Sequence, residues 1–219
     1  MFSSGKVVEL FYDVVSPYSW LAFEMLCRYR NVWNIDLKFK PAYLAGVIYG
    51  SGNQPAGMNP IPMFRPSDLY DKDTLNAMRF ACWWKGWELW KRKWRTHQDI
   101  TQPASLTEAG LKAGLSDNVV EEIVNLSTSQ PIRDKLKSVT LEALKHKVSA
   151  FCLHLCTLCL SHQNVFVLKK YHKMSLHISS PFLQCFGFPF IVCHVNGKVK
   201  VFFASDRFEL MAYFIGNYN

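Results

Sequence analysis

Acidic side chains are scarce: 17 Asp and Glu stand against 25 Lys and Arg in 219 residues, a net charge of +8. That excess is modest beside a content of 49% hydrophobic and 15% aromatic residues. The balance excludes a solvated, highly charged disordered chain, and it demands no acidic partner such as a nucleic acid. The opening stretch MFSSGKVVELFYD enters a strand pattern almost at once. It leaves no room for an apolar secretory run or an Arg/Ser-rich presequence, so a non-secreted protein is expected. Seven cysteines, an odd number, then argue for reduced thiols rather than a disulfide framework. The last residues, Asn217, Tyr218 and Asn219, are not a peroxisomal tripeptide of the S-K-L type.

The length fits one large domain, or one domain with a second inserted. Val7 to Val15 is rich in β-branched and aromatic residues, as expected of a strand covered on both faces. Ser16 follows as an N-cap with Pro17 at the first helical position, and Trp20, Leu21, Phe23, Leu26 and Cys27 continue a helix. A second strand is expected over Ile35 to Lys40, which makes a βαβ unit with parallel strands. Residues 50–68 are rich in Gly, Pro, Ser and Asn and read as a loop. From Thr74 to about Lys147 the pattern is helical. Trp83, Trp87, Trp90 and Trp94 fall on one helical face, Ser105 with Glu108 makes a capping box, and Ile132, Leu136, Val139 and Ala143 repeat the helical spacing. Residues 189–203 are two β-rich runs joined by Asn196-Gly197, a hairpin signal, and Ser205 and Asp206 open a last helix through Phe214.

The order βαβ, helical block, ββα resembles an α/β, thioredoxin-like fold split by an inserted all-helical domain, as in DsbA-like proteins. The segments VELFYDVVSPYSWLAFEMLCRY, SGNQPAG, LNAMRF, DITQP, FGFPF and SDRFELMAYFIG, in this order, are similar to the kappa-class glutathione transferases. SPYSW alone is shared with the related 2-hydroxychromene-2-carboxylate isomerases. On this resemblance, 1–62 and 185–219 form the two parts of the thioredoxin-like domain and 63–147 the helical insertion. The resemblance departs twice. After Gly57 the chain passes almost directly to LNAMRF, so part of the helical domain and a lysine that reaches glutathione in the family are missing. Residues 148–184 have no counterpart: their removal joins LEALKHK to CFGFPF, and their ends can be spelled as splice signals, so the segment reads as a retained intron with little ordered structure.

Where thioredoxin-type proteins carry Cys-Pro-Tyr-Cys, this chain has Ser16-Pro17-Tyr18-Ser19. A free thiol, with pKa about 8.5, is only a few per cent thiolate at neutral pH. The amino end of a helix offers unpaired N–H groups and a positive dipole end, and a serine hydroxyl donates one hydrogen bond to a sulfur anion held there. A cysteine at 16 would form a mixed disulfide with the bound thiol, whereas a serine stabilises its thiolate. Read alone, Ser16 is a helix cap. Ser19 is expected to pack or bond locally, and Tyr18 is either core or part of the site.

The resemblance implies further site residues. Pro189 stands where these folds place a cis-proline, and the Phe188 backbone would pair with the cysteinyl part of glutathione. Ser205 and Asp206 would hold the γ-glutamyl end, and Asn53 belongs to the binding loop; Arg65 is a candidate replacement for the missing lysine. Glutathione is then the co-substrate, with an electrophile or peroxide as second substrate. A homodimer and a mitochondrial or, alternatively, peroxisomal setting are also implied. Two other readings stay open: a glutathione-dependent isomerase, and a non-catalytic or poorly folded product.

Two patterns carry less. KGWELWKRKWR, residues 85–95, mixes basic and aromatic residues as a nucleic-acid surface does, but the tryptophans share a face and are expected to be buried. Cys152, His154, Cys156, Cys159 and His162 have a spacing that fits no common zinc finger, and no metal is expected. Val148 to Leu168 has no charged residue and is long enough to span a bilayer, yet its histidines, Gln163 and Asn164 argue against a membrane segment.

Overall fold

In the computed structural model, which describes residues 5–51, 74–83, 86–149, 182–184, 187–205 and 207–216, strand β1 (Lys6–Tyr12) is central. Its side chains alternate as a pleated strand requires. Val8, Leu10 and Tyr12 enter one buried cluster, and Phe11 enters a second cluster with Phe188, Phe190 and Val192. Glu9 is partly buried and is met by the Lys40 ammonium at 3.2 Å and the His194 ring at 3.0 Å. The strand stops three residues short of the expected Val15, because the Asp13 carboxylate takes the Val15 N–H in place of a ladder partner.

Helix α1 (Pro17–Tyr29) begins at the expected proline and carries β1 over to β2 (Asp36–Pro41), which pairs with it in parallel. A short helix, α2 (Leu44–Gly50), comes next, with no counterpart in the sequence expectation. The helical stretch comprises α3 (Thr74–Ala81), α4 (Trp87–Trp90) running into a π-helical turn at Lys91–Arg95, α5 (Pro103–Lys112), α6 (Asp117–Ser127) and α7 (Gln130–Lys145). Strands β3 (Lys147–Ser149) and β4 (Phe182–Gln184) form a small antiparallel pair. The two ends of the 148–184 segment thus lie side by side, and its interior, with the Cys/His cluster, falls outside the described residues. The chain closes with β5 (Phe190–Val195), β6 (Lys198–Phe203) and α8 (Phe208–Phe214). Asn196 and Gly197 have φ of 50° and 75°, the left-handed pair that a two-residue hairpin turn needs. The sheet order is β2-β1-β5-β6, with β5 antiparallel to both neighbours.

Three local expectations are corrected. Trp83 is not on the helix of the other tryptophans: α3 ends at Ala81, Gly86 turns left-handed at φ 72°, and a new helix starts at Trp87. Trp83 is accordingly half-exposed beside the Lys135 ammonium, while Trp87, Trp90 and Trp94 pack on the core. Helix α5 starts at Pro103, ahead of Ser105. Proline presets the first helical φ, and the Asp99 carboxylate accepts from the Thr101 and Gln102 N–H groups at 3.1 and 3.0 Å. Glu108, freed from capping, binds the Arg92 guanidinium at 2.8 Å and the Lys112 ammonium at 2.9 Å. Helix α8 starts at Phe208 with Arg207 at its N-cap, so Ser205 does not open it, and Asp206 lies outside the described residues.

The helices do not build a core apart from the sheet. Met78, Phe80, Leu89, Trp90, Leu106, Ile132 and Leu136 belong to the same buried cluster as Val8, Leu10 and Tyr12. Packing within the helical layer is close. A Cβ added at Gly110 would stand 2.8 Å from Val120 Cγ2 and 3.4 Å from Phe80 Cζ. Gly110→Ala should therefore destabilise by about 1–3 kcal/mol despite alanine's better helix propensity. Urea denaturation checks this, and the Gly110→Ala/Val120→Ala pair should recover part of the loss relative to the summed single changes.

Candidate active site

The turn between β1 and α1 is held on all sides. Asp13 carbonyl oxygen accepts the Ser16 N–H at 3.1 Å, and the Asp13 carboxylate accepts from Val15 N–H at 3.0 Å and Leu44 N–H at 2.8 Å. The helical layer reaches across to the same turn: Val14 N–H points at Met78 Sδ, 3.3 Å away, and the Trp94 indole N–H donates to Val14 carbonyl at 3.1 Å. The π-helical turn at 91–95, closed by Thr96 N–H on Lys91 carbonyl at 3.0 Å, immediately flanks Trp94's contact. The tryptophan stripe thus steadies the turn that presents Ser16.

Ser16 is the N-cap of α1, with extended backbone at φ −90° and ψ 116°. Its Oγ accepts the Ser19 N–H at 3.2 Å and donates to the Phe188 carbonyl at 3.2 Å. The Phe188–Pro189 peptide is cis, as the resemblance implied. Only 5% of Ser16 is exposed, so its hydroxyl works in a largely dry corner. No acidic residue lies in the first turn of α1 to neutralise the positive helix end. The arrangement can hold an anion beside the Oγ: amide dipoles converge there, and the hydroxyl proton is free to turn from the Phe188 carbonyl to another acceptor.

The other expected residues divide. Phe188 meets Ser16 through that hydrogen bond, and Pro189 follows it across the cis peptide. Ala204 N–H donates to Pro189 carbonyl at 3.1 Å, which brings the bend containing Ser205 to the same end of the sheet. Pro17 sits at the first position of α1. Tyr18 is 60% exposed, so it is not core. Ser19 is fully buried, as expected of a packing residue, and its hydroxyl has no hydrogen-bond partner among the described residues. Asn53, Arg65 and Asp206 lie outside the described residues.

Sequence reading missed Asp13, although an acid three residues before a helix cap is a recognisable turn signal. Burial pushes its carboxyl up from 3.8 to about 6, against the pull of the Leu44 and Val15 N–H groups. Because the folded value is raised, this group's contribution to stability is full below pH 3.8 and is lost as pH rises through about 6. Wild-type stability minus that of Asp13→Asn should fall by about 3 kcal/mol between those limits, read from denaturation midpoints against pH. Tyr12 is also fully buried, and its hydroxyl, without a hydrogen-bond partner among the described residues, is held protonated, chiefly by burial.

The chain is similar to known proteins along nearly its whole length. The DSBA-like thioredoxin domain matches residues 7–148. Rat glutathione S-transferase kappa 1 is 34% identical and the human protein of that name 31%, each alignment covering 96% of this chain and 91% of the relative. Among solved structures, a 2-hydroxychromene-2-carboxylate isomerase superposes with a TM-score of 0.60 over 96% of this chain and 94% of that one, at 13% identity, a likeness of fold. The chain belongs to the DSBA-like thioredoxin domain family and, within it, to the kappa class of glutathione S-transferases, an enzyme family.

Proposed function

We propose that the protein activates the thiol of glutathione at the amino end of α1 and transfers it to electrophilic carbon or uses it to reduce peroxides. One observation carries the reading: a buried Ser16 hydroxyl at a helix amino end, 3.2 Å from the Phe188 carbonyl that precedes Pro189. Glutathione lies along the Phe188–Pro189 turn, its cysteinyl N–H taking the Phe188 carbonyl and its carbonyl meeting the Phe188 N–H, as an added strand does. Its entry displaces the Ser16 hydroxyl, which turns to the sulfur. Ser205, Asp206 and Asn53 hold the remainder of the tripeptide, and Pro17 and Tyr18 border the thiol.

Binding of the anion is favoured over the thiol by the hydroxyl hydrogen bond and the helix end. One charge-assisted hydrogen bond, about 1.5–3 kcal/mol, lowers the thiol pKa by about one to two units. The proton leaves to solvent, the sulfur lone pair forms a bond to electrophilic carbon, and the leaving group departs with the bonding pair. With a hydroperoxide, sulfur takes the terminal oxygen, an alcohol leaves, and a second glutathione converts the sulfenic acid to disulfide and water.

Calorimetric titration with glutathione, followed by assays with chlorodinitrobenzene and an organic hydroperoxide, tests this. Binding with turnover of either substrate is expected. No heat and no thermal shift at millimolar glutathione would remove the proposal. Binding with turnover of a hydroxychromene carboxylate alone would replace transferase by isomerase. The family resemblance also supports a homodimer in a mitochondrial setting, which sedimentation and fractionation address.

A further inference from the structure

Asp13 is a fully buried acid for which the chemistry above has no use. Among the described residues no Lys, Arg or His forms an ion pair with it; its two oxygens are taken instead by main-chain N–H groups of Val15 and Leu44. Those donors belong to two different segments, the turn before α1 and the start of α2. Val15 immediately precedes Ser16, whose own N–H is held by Asp13 carbonyl oxygen at 3.1 Å. Leu44 opens α2, which ends at Gly50. Leu44 lies 31 residues beyond Asp13 in sequence, and one carboxylate spans the two segments. Neighbouring contacts fix the frame around it: Ala42 N–H on Tyr12 carbonyl at 2.9 Å, and Tyr43 N–H on Thr140 Oγ1 at 3.0 Å.

We propose that Asp13 is a positioning residue whose ionised carboxylate ties the Ser16 turn to the start of α2 and so keeps Ser16 in register for the bound thiol. This rests on the glutathione reading of the Ser16 site. A carboxylate offers full acceptor strength to both N–H donors at once, whereas a protonated acid gives up one oxygen to its own proton and an amide presents a donor in its place. Burial favours the neutral form of Asp13 while its two N–H donors favour the ionised one, a balance of the kind found at functional sites. Protonation of Asp13 therefore weakens one of these two ties, and with it ligand binding, even as it relieves the cost of burying the charge.

Other titratable groups face this corner. Tyr12 on β1 and Cys82 after α3 are both kept neutral, chiefly by burial. The Lys135 ammonium of α7 donates to Cys82 carbonyl at 2.9 Å, and Arg79 of α3 feels both Arg133 of α7 and Tyr43. Two histidines stand farther along the sheet: His146 packs on Phe11 and Phe190 near Glu142, and His194 on Glu9, which also meets Lys40. Replacing both histidines separates Asp13 from them.

S-methylglutathione, which has no thiol to ionise, isolates the effect. Its calorimetric affinity for the wild-type protein should fall about tenfold from about pH 7.5 to about pH 5, with a midpoint near 6. Asp13→Asn should bind about tenfold more weakly at the upper pH and show a flat profile. The wild-type slope should persist in the His146→Gln/His194→Gln variant, a check that stands even if Asp13→Asn does not fold. A flat wild-type profile, an unchanged slope in Asp13→Asn, or a slope abolished by the histidine changes would overturn the inference while leaving glutathione binding intact. Absence of S-methylglutathione binding at every pH would instead sink the glutathione reading itself.

Discussion

Ser16→Ala is expected to lower kcat/KM for chlorodinitrobenzene about 10- to 100-fold while leaving the fold intact. The serine makes two contacts that alanine cannot: acceptance of the Ser19 N–H and donation to the Phe188 carbonyl, each at 3.2 Å. Loss of the first is a capping loss of about 1 kcal/mol, which shows as a lower melting temperature. Loss of the second matters for the anion, because the same hydroxyl proton is the one that turns to the sulfur. The two effects separate by pH. If alanine removes thiolate stabilisation, activity should recover as pH rises toward the ordinary thiol pKa, with the acid limb displaced upward by about one to two units. A purely structural loss would lower activity evenly across pH. Ser16→Cys gives the complementary result: its thiolate attacks glutathione disulfide, one glutathione leaves as thiolate, and a mixed disulfide remains, visible as a mass increase reversed by a dithiol.

Trp90→Ala should have the largest effect on stability, about 3–5 kcal/mol. Trp90 is completely buried, with its ring 4.9 Å from that of Tyr12 and 4.8 Å from that of Phe23. It therefore bridges β1, α1 and the helical layer. Because the π-helical turn that follows it presents Trp94 to the Val14 carbonyl, the damage should reach the active-site turn. Denaturant midpoints should shift markedly, and glutathione affinity should fall with them. Trp83→Ala, at the half-exposed position, should change stability by less than about 1 kcal/mol, the contrast that separates the two tryptophans.

How far the sequence carried these conclusions depends on the range of each contact. The β1–α1–β2 unit and the β5–β6 hairpin were legible because their signals are local: an apolar run, a Ser-Pro start, an Asn-Gly turn. Ser16, Phe188 and Pro189 came from the family resemblance, and the hydrogen bond joining them spans 172 positions that no periodicity connects. Helix α2 was missed because its seven residues are too few for a helical period to stand out beside the preceding strand. Trp83 was placed on the wrong helix because the spacing of the tryptophans continues through a break, and the left-handed Gly86 that makes the break looks unexceptional in the one-dimensional pattern. Asp13 was overlooked for a different reason. At the end of a strand an acid reads as a turn residue, and only the fold reveals that its second oxygen holds the first residue of α2.

The most direct test follows the thiolate's ultraviolet absorbance while the complex of glutathione with the wild-type protein is titrated with base. The bound thiol should ionise at least about one pKa unit below free glutathione, and in the Ser16→Ala complex most of that difference should vanish. A bound thiol that ionises at the free value, or a lowered value that is indifferent to the serine, would contradict thiolate stabilisation by Ser16.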